Sequence, residues 1–205
     1  LDKKYAEFVG VDNLHYAKIT EDSEANYTTE VPKYLAPTAE ISSEVEIENT
    51  PTYYDNVAAF NYVSEGTTTL TVTVSGVPAN TAAELLGKDY DEANGMVLDD
   101  GVPTPPEIAL SFRFNKGAED YRYYQYMKGT FSGGAEEAAS KSGSVDIKTY
   151  ELTYTAVVTT HKFAVGGKQK GLKRIFADTD DVNFKVATAT GWFAKVQTPI
   201  TTPEG

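Results

Sequence analysis

The feature that most narrows what this chain can fold into lies between Gly66 and Phe131, where the spacing of apolar residues changes period and then changes back. Leu70, Val72 and Val74 alternate with Thr69, Thr71 and Thr73, the period of two expected of a strand with one buried and one wet face. Thr81-Ala-Ala-Glu84 then has the form of a capping box, Leu85 and Leu86 add a small apolar patch, and Gly87 is a stop signal. Together they predict one short helix. Ile108, Leu110, Phe112 and Phe114 next alternate with Ala109, Ser111 and Arg113, and a turn through Asn115-Lys-Gly117 leads into a tyrosine-rich strand over Tyr121–Lys128. The order is strand, helix, hairpin, with no catalytic motif on it.

The 205 residues suit one domain plus extended appendages. Residues 1–13 lack periodicity and are expected to form an N-terminal arm, 14–160 a mainly β core of sandwich or barrel-like form, and 161–205 a C-terminal segment packed partly on the core or on a neighbour. Within the core, His15–Thr20 reads as a short strand and Glu21–Thr29 as a polar loop, while Pro32 and Pro37 hold the next stretch at an edge. From Glu40 onward, Ile41, Ser43, Val45 and Ile47 alternate with Ser42, Glu44, Glu46 and Glu48, so a strand here sets three carboxylates in a row on one face. Thr50, Pro51, Thr52, Tyr53, Tyr54, Asp55 and Asn56 read as a turn-rich excursion, with Val57–Val63 returning as a strand. Lys88–Pro106 and Gly133–Gly143 have the composition of exposed loops. Val145–Val158 predicts a long strand with Tyr150, Leu152, Tyr154 and Ala156 on one side. Beyond it, Leu172–Phe176 reads as a short strand or helical turn and Trp192-Phe193 as an aromatic anchor.

The chemistry available is limited. A net charge of −12 argues against a protein that grips nucleic acid, because phosphate contacts need clustered Lys and Arg. Without cysteine there are no disulfides, thiolates or cysteine metal sites, and His15 and His161 give little material for a catalytic triad or a histidine metal site. Both histidines read as hydrogen-bonded structural residues. Asp89-Tyr-Asp91-Glu-Ala-Asn-Gly95 departs from a calcium loop: Ala93 holds a ligand position and the glycine comes one place late. Asp178-Thr-Asp180-Asp181 fits a turn or cap. Tyr121, Tyr123, Tyr124 and Tyr126 could form a stacking platform for sugars, but fit packing or a subunit interface better. No enzyme activity, metal or cofactor is expected. No apolar run approaches the roughly 18 to 20 residues of a membrane span, and the N-terminus lacks the order of a signal peptide, so a soluble, unexported chain is expected. The leucine at position 1 leaves open whether the start is processed or comes from an unusual initiation codon.

Several blocks in order carry a resemblance: VGVDNLHYAKIT at Val9–Thr20, the acidic strand with TYYDN at Thr52–Asn56, TLTVTVSGVPANTAAELLG at Thr69–Gly87, PPEIALSFRF with YRYYQYMKGTF, and KSGSVDIKTYELTYTAV at Lys141–Val157. As a set, over residues 9–195, they resemble the major tail tube proteins of long, non-contractile-tailed phages of Gram-positive hosts. A headless, tail-like bacteriocin uses similar proteins and is not separated from a phage by these residues. The resemblance implies a β-sandwich or barrel-like core, hexameric rings of identical subunits, and stacking of the rings into a tube that holds tape measure protein and conducts DNA. Terminator and baseplate proteins at its ends, location in the virion tail, synthesis in the host bacterial cytoplasm and no membrane partner are also implied. Glu44, Glu46 and Glu48 are the candidate acidic lumen face, since carboxylates repel DNA phosphates; whether that face looks into the tube or outward stays open. Thr50–Asn56 is the candidate ring-stacking loop. The alternatives are a single-ring neck, tail-terminator or baseplate protein of the same fold, and a carbohydrate-binding module using the tyrosine strand.

Overall fold

Leu70, Val72 and Val74 are fully buried, while Thr69, Thr71 and Thr73 between them are half-buried, as a period of two requires. The structure, a computed structural model, describes residues 6–135 and 149–199, and it is mainly β. The chain begins with β1 (Phe8–Asp22), two short strands β2 (Tyr27–Thr29) and β3 (Lys33–Tyr34), and two long ones, β4 (Thr38–Tyr54) and β5 (Val57–Val74). Helix α1 (Ala79–Leu86) follows, then a small hairpin of β6 (Asp89–Asp91) and β7 (Met96–Leu98). The second half holds β8 (Ile108–Lys116), β9 (Asp120–Ala135) and β10 (Tyr150–Ala156). It ends with the hairpin of β11 (Phe163–Val165) and β12 (Lys168–Lys170), then β13 (Arg174–Asp178) and α2 (Val186–Gly191).

The main sheet is antiparallel, with the path β2-β1-β8-β9-β10-β5-β4; β3 adds to β1 and β13 to β9. It curls without closing, which corrects the barrel-like expectation in one respect: β4 and the β1 edge end the path without pairing to each other. Ile41, Leu70, Val72, Leu152, Tyr154, Phe131, Leu110 and Phe112 line its concave face together with Leu14 and Leu35. Leu85 and Leu86 of α1 fill the curl. The Tyr154 ring crosses directly over Gly129 and its hydroxyl donates to the Ile108 carbonyl at 2.7 Å. A Cβ on Gly129 would stand 2.5 Å from both that ring and the Thr155 carbonyl oxygen, so only glycine fits.

Several elements differ from expectation, each for a physical reason. The helix starts at Ala79 behind Pro78 and has no side-chain cap, so the Thr81–Glu84 capping box does not form. Proline needs no N–H partner at a helix entrance, and the Glu84 carboxylate is engaged by the Tyr16 hydroxyl at 3.1 Å and Lys18 Nζ at 2.7 Å. Gly87 does end the helix, at φ 64°, where a Cβ would collide with the Thr104 backbone. The sheet reaches into the expected arm, since Phe8 already pairs with Lys116. Two helices, not one, lie among the described residues. Ala109 and Ser111 are buried rather than wet, because the C-terminal segment covers that face: Trp192 is buried and donates its indole N–H to the Tyr124 carbonyl. The Gly133–Gly143 loop and the start of Val145–Val158 fall largely outside the described residues; β9 runs to Ala135, and β10 has the expected buried side, Tyr150, Leu152, Tyr154 and Ala156.

Replacing Leu70 by alanine is expected to cost about 3 kcal/mol in urea denaturation of the protein, against under about 1 kcal/mol for Thr71→Ala on the opposite face. Equal losses would show that the assigned core face is wrong.

Candidate assembly surfaces

β5 has β4 on one edge along its whole length, but β10 on the other only over Thr68–Val74. At Gly66 and Thr67 an extra residue of β5 breaks the register, as Val45 pairs with Thr68 and Ile47 with Glu65. The Glu46 carboxylate sits over this bulge and accepts from the Thr67 N–H and hydroxyl at 3.3 and 3.2 Å. From here outward the two strands continue as a ribbon, in which every residue of β5 from Val57 to Gly66 is exposed. Thr50–Asn56 is therefore not a turn-rich excursion. Thr50–Tyr54 is strand paired with Val57–Tyr62, and only Asp55 and Asn56 turn, both with positive φ (50° and 64°) as in a tight two-residue hairpin. Neither Thr50–Tyr54 nor Val57–Val63 alternates in the sequence, so only the Asp55-Asn56 pair hinted at a hairpin.

The ribbon is apolar for something so exposed. Ile47 (58%), Tyr54 (64%), Phe60 (63%), Tyr62 (66%) and Val63 (65%) keep most of their surface in water. Among the described residues its internal side-chain contacts are few: a Tyr54–Phe60 edge contact at 6.3 Å, a hydrogen bond from the Asn61 amide to Asn49 Oδ1 at 3.3 Å, and a long one from the Thr52 hydroxyl to the Phe60 carbonyl. An isolated two-stranded hairpin is marginal in water, and unpaired edges with apolar faces invite association. At its base Lys173 Nζ ties the ribbon to the C-terminal half through Glu65 at 2.6 Å and the Gly66 carbonyl at 2.9 Å.

Glu44, Glu46 and Glu48 are exposed and follow one another on the convex side of β4. The registers extend this face across the sheet. Glu40 lies beside Thr73 and Glu151, Ser42 beside Thr71, Thr153 and Ser132, and Glu44 beside Thr69, Thr155 and Thr130. These rows carry hydroxyls and carboxylates and no cation, and no Lys or Arg occurs between Lys33 and Lys88. Further along β4 the same side meets Tyr62 across from Thr50 and Phe60 across from Thr52.

The remaining candidate residues are structural. Tyr123 and Tyr126 are buried, Tyr123 against Trp192 and Phe193, and Tyr121 lies under the Arg113 guanidinium at 4.0 Å, so the strand offers no open aromatic platform. His15 bonds the Asn13 carbonyl at 2.8 Å and stacks on Phe193, as a hydrogen-bonded structural histidine does, whereas His161 meets Phe163 edge-on and its buried Nδ1 has no hydrogen-bond partner among the described residues, contrary to expectation. In the Asp89–Gly95 segment the Asp91 carboxylate accepts from the Ala93 and Asn94 N–H groups and the Asn94 amide, closing its own turn. Among the described residues no cluster of three His, Asp or Glu could hold a metal ion, and no helix is long and apolar enough to cross a membrane.

One cluster went unread in the sequence. Asp178 and Asp180, which looked like a turn, clasp Lys116 and Arg122: Asp180 takes Lys116 Nζ at 2.9 Å on both oxygens, and Asp178 takes the Arg122 guanidinium in bidentate fashion. The Lys116 side chain is only 9% exposed and that of Asp180 8%. The clasp and the β13–β9 ladder hold the segment around β13 on the core. The Arg122 hydrogen bond holds the Asp178 carboxyl below the usual carboxylate range. Comparison of the chain with protein-family models found no match, and comparison with curated proteins found none.

Asp180→Ala leaves a buried ammonium without its nearest partner and is expected to cost about 3 kcal/mol or more in chemical denaturation. Because the folded Asp178 carboxyl titrates below its unfolded value, its stabilisation is present above that value and is lost as pH falls through the folded one. Thermal melts of wild type and Asp178→Asn should differ most near neutral pH and converge below about pH 4. A gap that stays constant into acid would remove the assigned role.

Proposed function

We propose that this chain is a structural virion protein, a major tail tube subunit of a long, non-contractile phage tail. Identical subunits form hexameric rings, and the rings stack into the tube that holds tape measure protein and passes DNA on ejection. Terminator and baseplate proteins close its ends, and assembly takes place in the host bacterial cytoplasm. The observation that carries the reading is the ribbon beyond Gly66, apolar on exposed faces and unpaired on both outer edges among the described residues. Such edges are satisfied when a copy of the chain supplies the missing strand or surface, and ring closure ends the association at a fixed size. The cation-free face of Glu44, Glu46 and Glu48 with its rows of threonine and serine supports a lumen role. Carboxylates repel phosphate over a Debye length of about 8 to 10 Å, and hydroxyls offer DNA no counter-charge. The chain acts by assembly rather than by turnover and needs no cofactor.

Purified protein is expected to form long hollow filaments in electron micrographs. Stopping at single rings would point to a neck, terminator or baseplate component, and a stable monomer would sink the reading. Asn49 and Val63 are register partners, so removing residues 50–62 and joining these two through Asn-Gly shortens the ribbon at a natural turn site. The shortened protein should keep its melting temperature and lose filaments; filaments of normal length would show that the ribbon is not the stacking joint. Particles with Glu44, Glu46 and Glu48 all changed to Gln should eject DNA more slowly or with new salt sensitivity. Unchanged ejection at low and high salt would place the face on the outside.

A further inference from the structure

Two hairpins of opposite charge lie at opposite ends of the sheet. Thr68–Val74 of β5, Tyr150–Ala156 of β10 and Gly129–Ala135 of β9 run side by side, so one end of the three strands is marked by Val74, Tyr150 and Ala135 and the other by Thr68, Ala156 and Gly129. These ends stand roughly 20 Å apart at about 3.3 Å per residue. Beyond the first lies the β6–β7 hairpin, held there by backbone bonds from Lys88 to Ala83 and from Thr104 to Gly87, and by the hollow that Leu86, Lys88 and Asp99 share with Phe131 and Gly133. Its exposed side chains include Asp89, Glu92 and Asp100. Beyond the second end lies the β11–β12 hairpin, fixed by bonds from Val157 to Lys128, Met127 to Lys173 and Thr159 to Leu172. From His161 to Ala177 the chain has no Asp or Glu, and Lys162, Lys168 and Lys170 are exposed.

In a chain of net charge −12 this separation is not what a uniformly acidic, merely solubilising surface would give. Among the described residues neither Lys168 nor Lys170 makes an ion pair, nor do Asp89 and Glu92. Both sets are therefore free to meet opposite charge on another molecule. Opposite charges at opposite ends of one subunit suit a head-to-tail contact, which builds an open stack where no rotation closes it into a ring.

We infer that the basic β11–β12 hairpin of one subunit docks on the acidic β6–β7 hairpin of a second copy of this chain, giving the stack a single direction. The inference rests on the tube reading above and names a contact within it. Exposed Met96 and Leu98 on the acidic hairpin supply apolar surface for the same contact. Charge attraction also aligns subunits before they touch, so the contact favours one orientation over its reverse.

The test uses full-length protein in three forms: K168E/K170E, D89K/E92K, and the quadruple variant carrying all four changes. Each double variant should melt like wild type and lose stacked filaments in low salt, leaving single rings or subunits. The quadruple variant, with its ends exchanged in sign, should recover them, and wild-type stacking should weaken between low and high salt. Filaments of wild-type length from both double variants, or failure of the quadruple variant to recover, overturns the docking while leaving the tube reading intact. No filaments from wild type at any salt removes the tube reading itself. If a reversal variant unfolds, K168Q/K170Q provides the milder test, with a partial loss of filaments expected and no loss overturning the contact. Retention of duplex DNA by wild type that disappears in K168E/K170E, with filaments unchanged, would reassign the basic hairpin to phosphate binding.

Discussion

β9 holds the sheet together, and competition for one of its edges shapes the rest of the molecule. One edge carries β8; the other carries β10 over Gly129–Ala135 and β13 over Arg122–Tyr126. With β13 occupying the place that a longer β10 would need, β10 ends at Ala156. β5, whose second neighbour is β10, then has no partner beyond Thr68. Backbone groups on that length of β5 must turn to water or to another chain. The bulge at Gly66 and Thr67 is where the strand leaves the sheet, and β4 leaves with it. The ribbon thus follows from where β13 lies, some hundred residues further along the chain.

That dependence gives the C-terminal segment a role beyond covering the core. It buries Tyr123 and Ser111 from the outer side, which is why β8 is buried on both faces over its first half. Its clasp of Asp178 and Asp180 on Arg122 and Lys116 fixes β13 in place, and Lys173 reaches from just before β13 to the base of the ribbon. Core packing, the β9 edge and the ribbon are thereby linked through one short run of residues. Loosening the clasp would free the β9 edge as well as expose apolar surface.

The molecule offers a partner surfaces rather than a pocket. The convex face of β4 carries hydroxyls and carboxylates, the ribbon carries apolar side chains in water, and hairpins at the two ends of the sheet carry opposite charge. Each property is unusual for a monomer that only needs solubility. In a repeating assembly each has a use: a face that repels phosphate, a joint and a direction.

Local pattern determined much of this protein. Alternation at Leu70–Val74, Ile108–Phe114 and Tyr150–Ala156 placed the core residues, because a side chain's face in a strand depends only on its own position along the backbone. Gly87 marked the helix end for an equally local reason, its left-handed φ. The carboxylate row of Glu44, Glu46 and Glu48 was legible in the same way. What only the tertiary structure decided involves pairing between distant residues: that Thr50–Tyr54 is strand, that Ala109 and Ser111 are covered, that Glu84 bonds Tyr16 instead of capping its helix, and that Asp178 and Asp180 hold Lys116 and Arg122. Each of these turns on which edge or charge a segment meets after the chain has folded, and a strand's pattern names its faces without naming its neighbours.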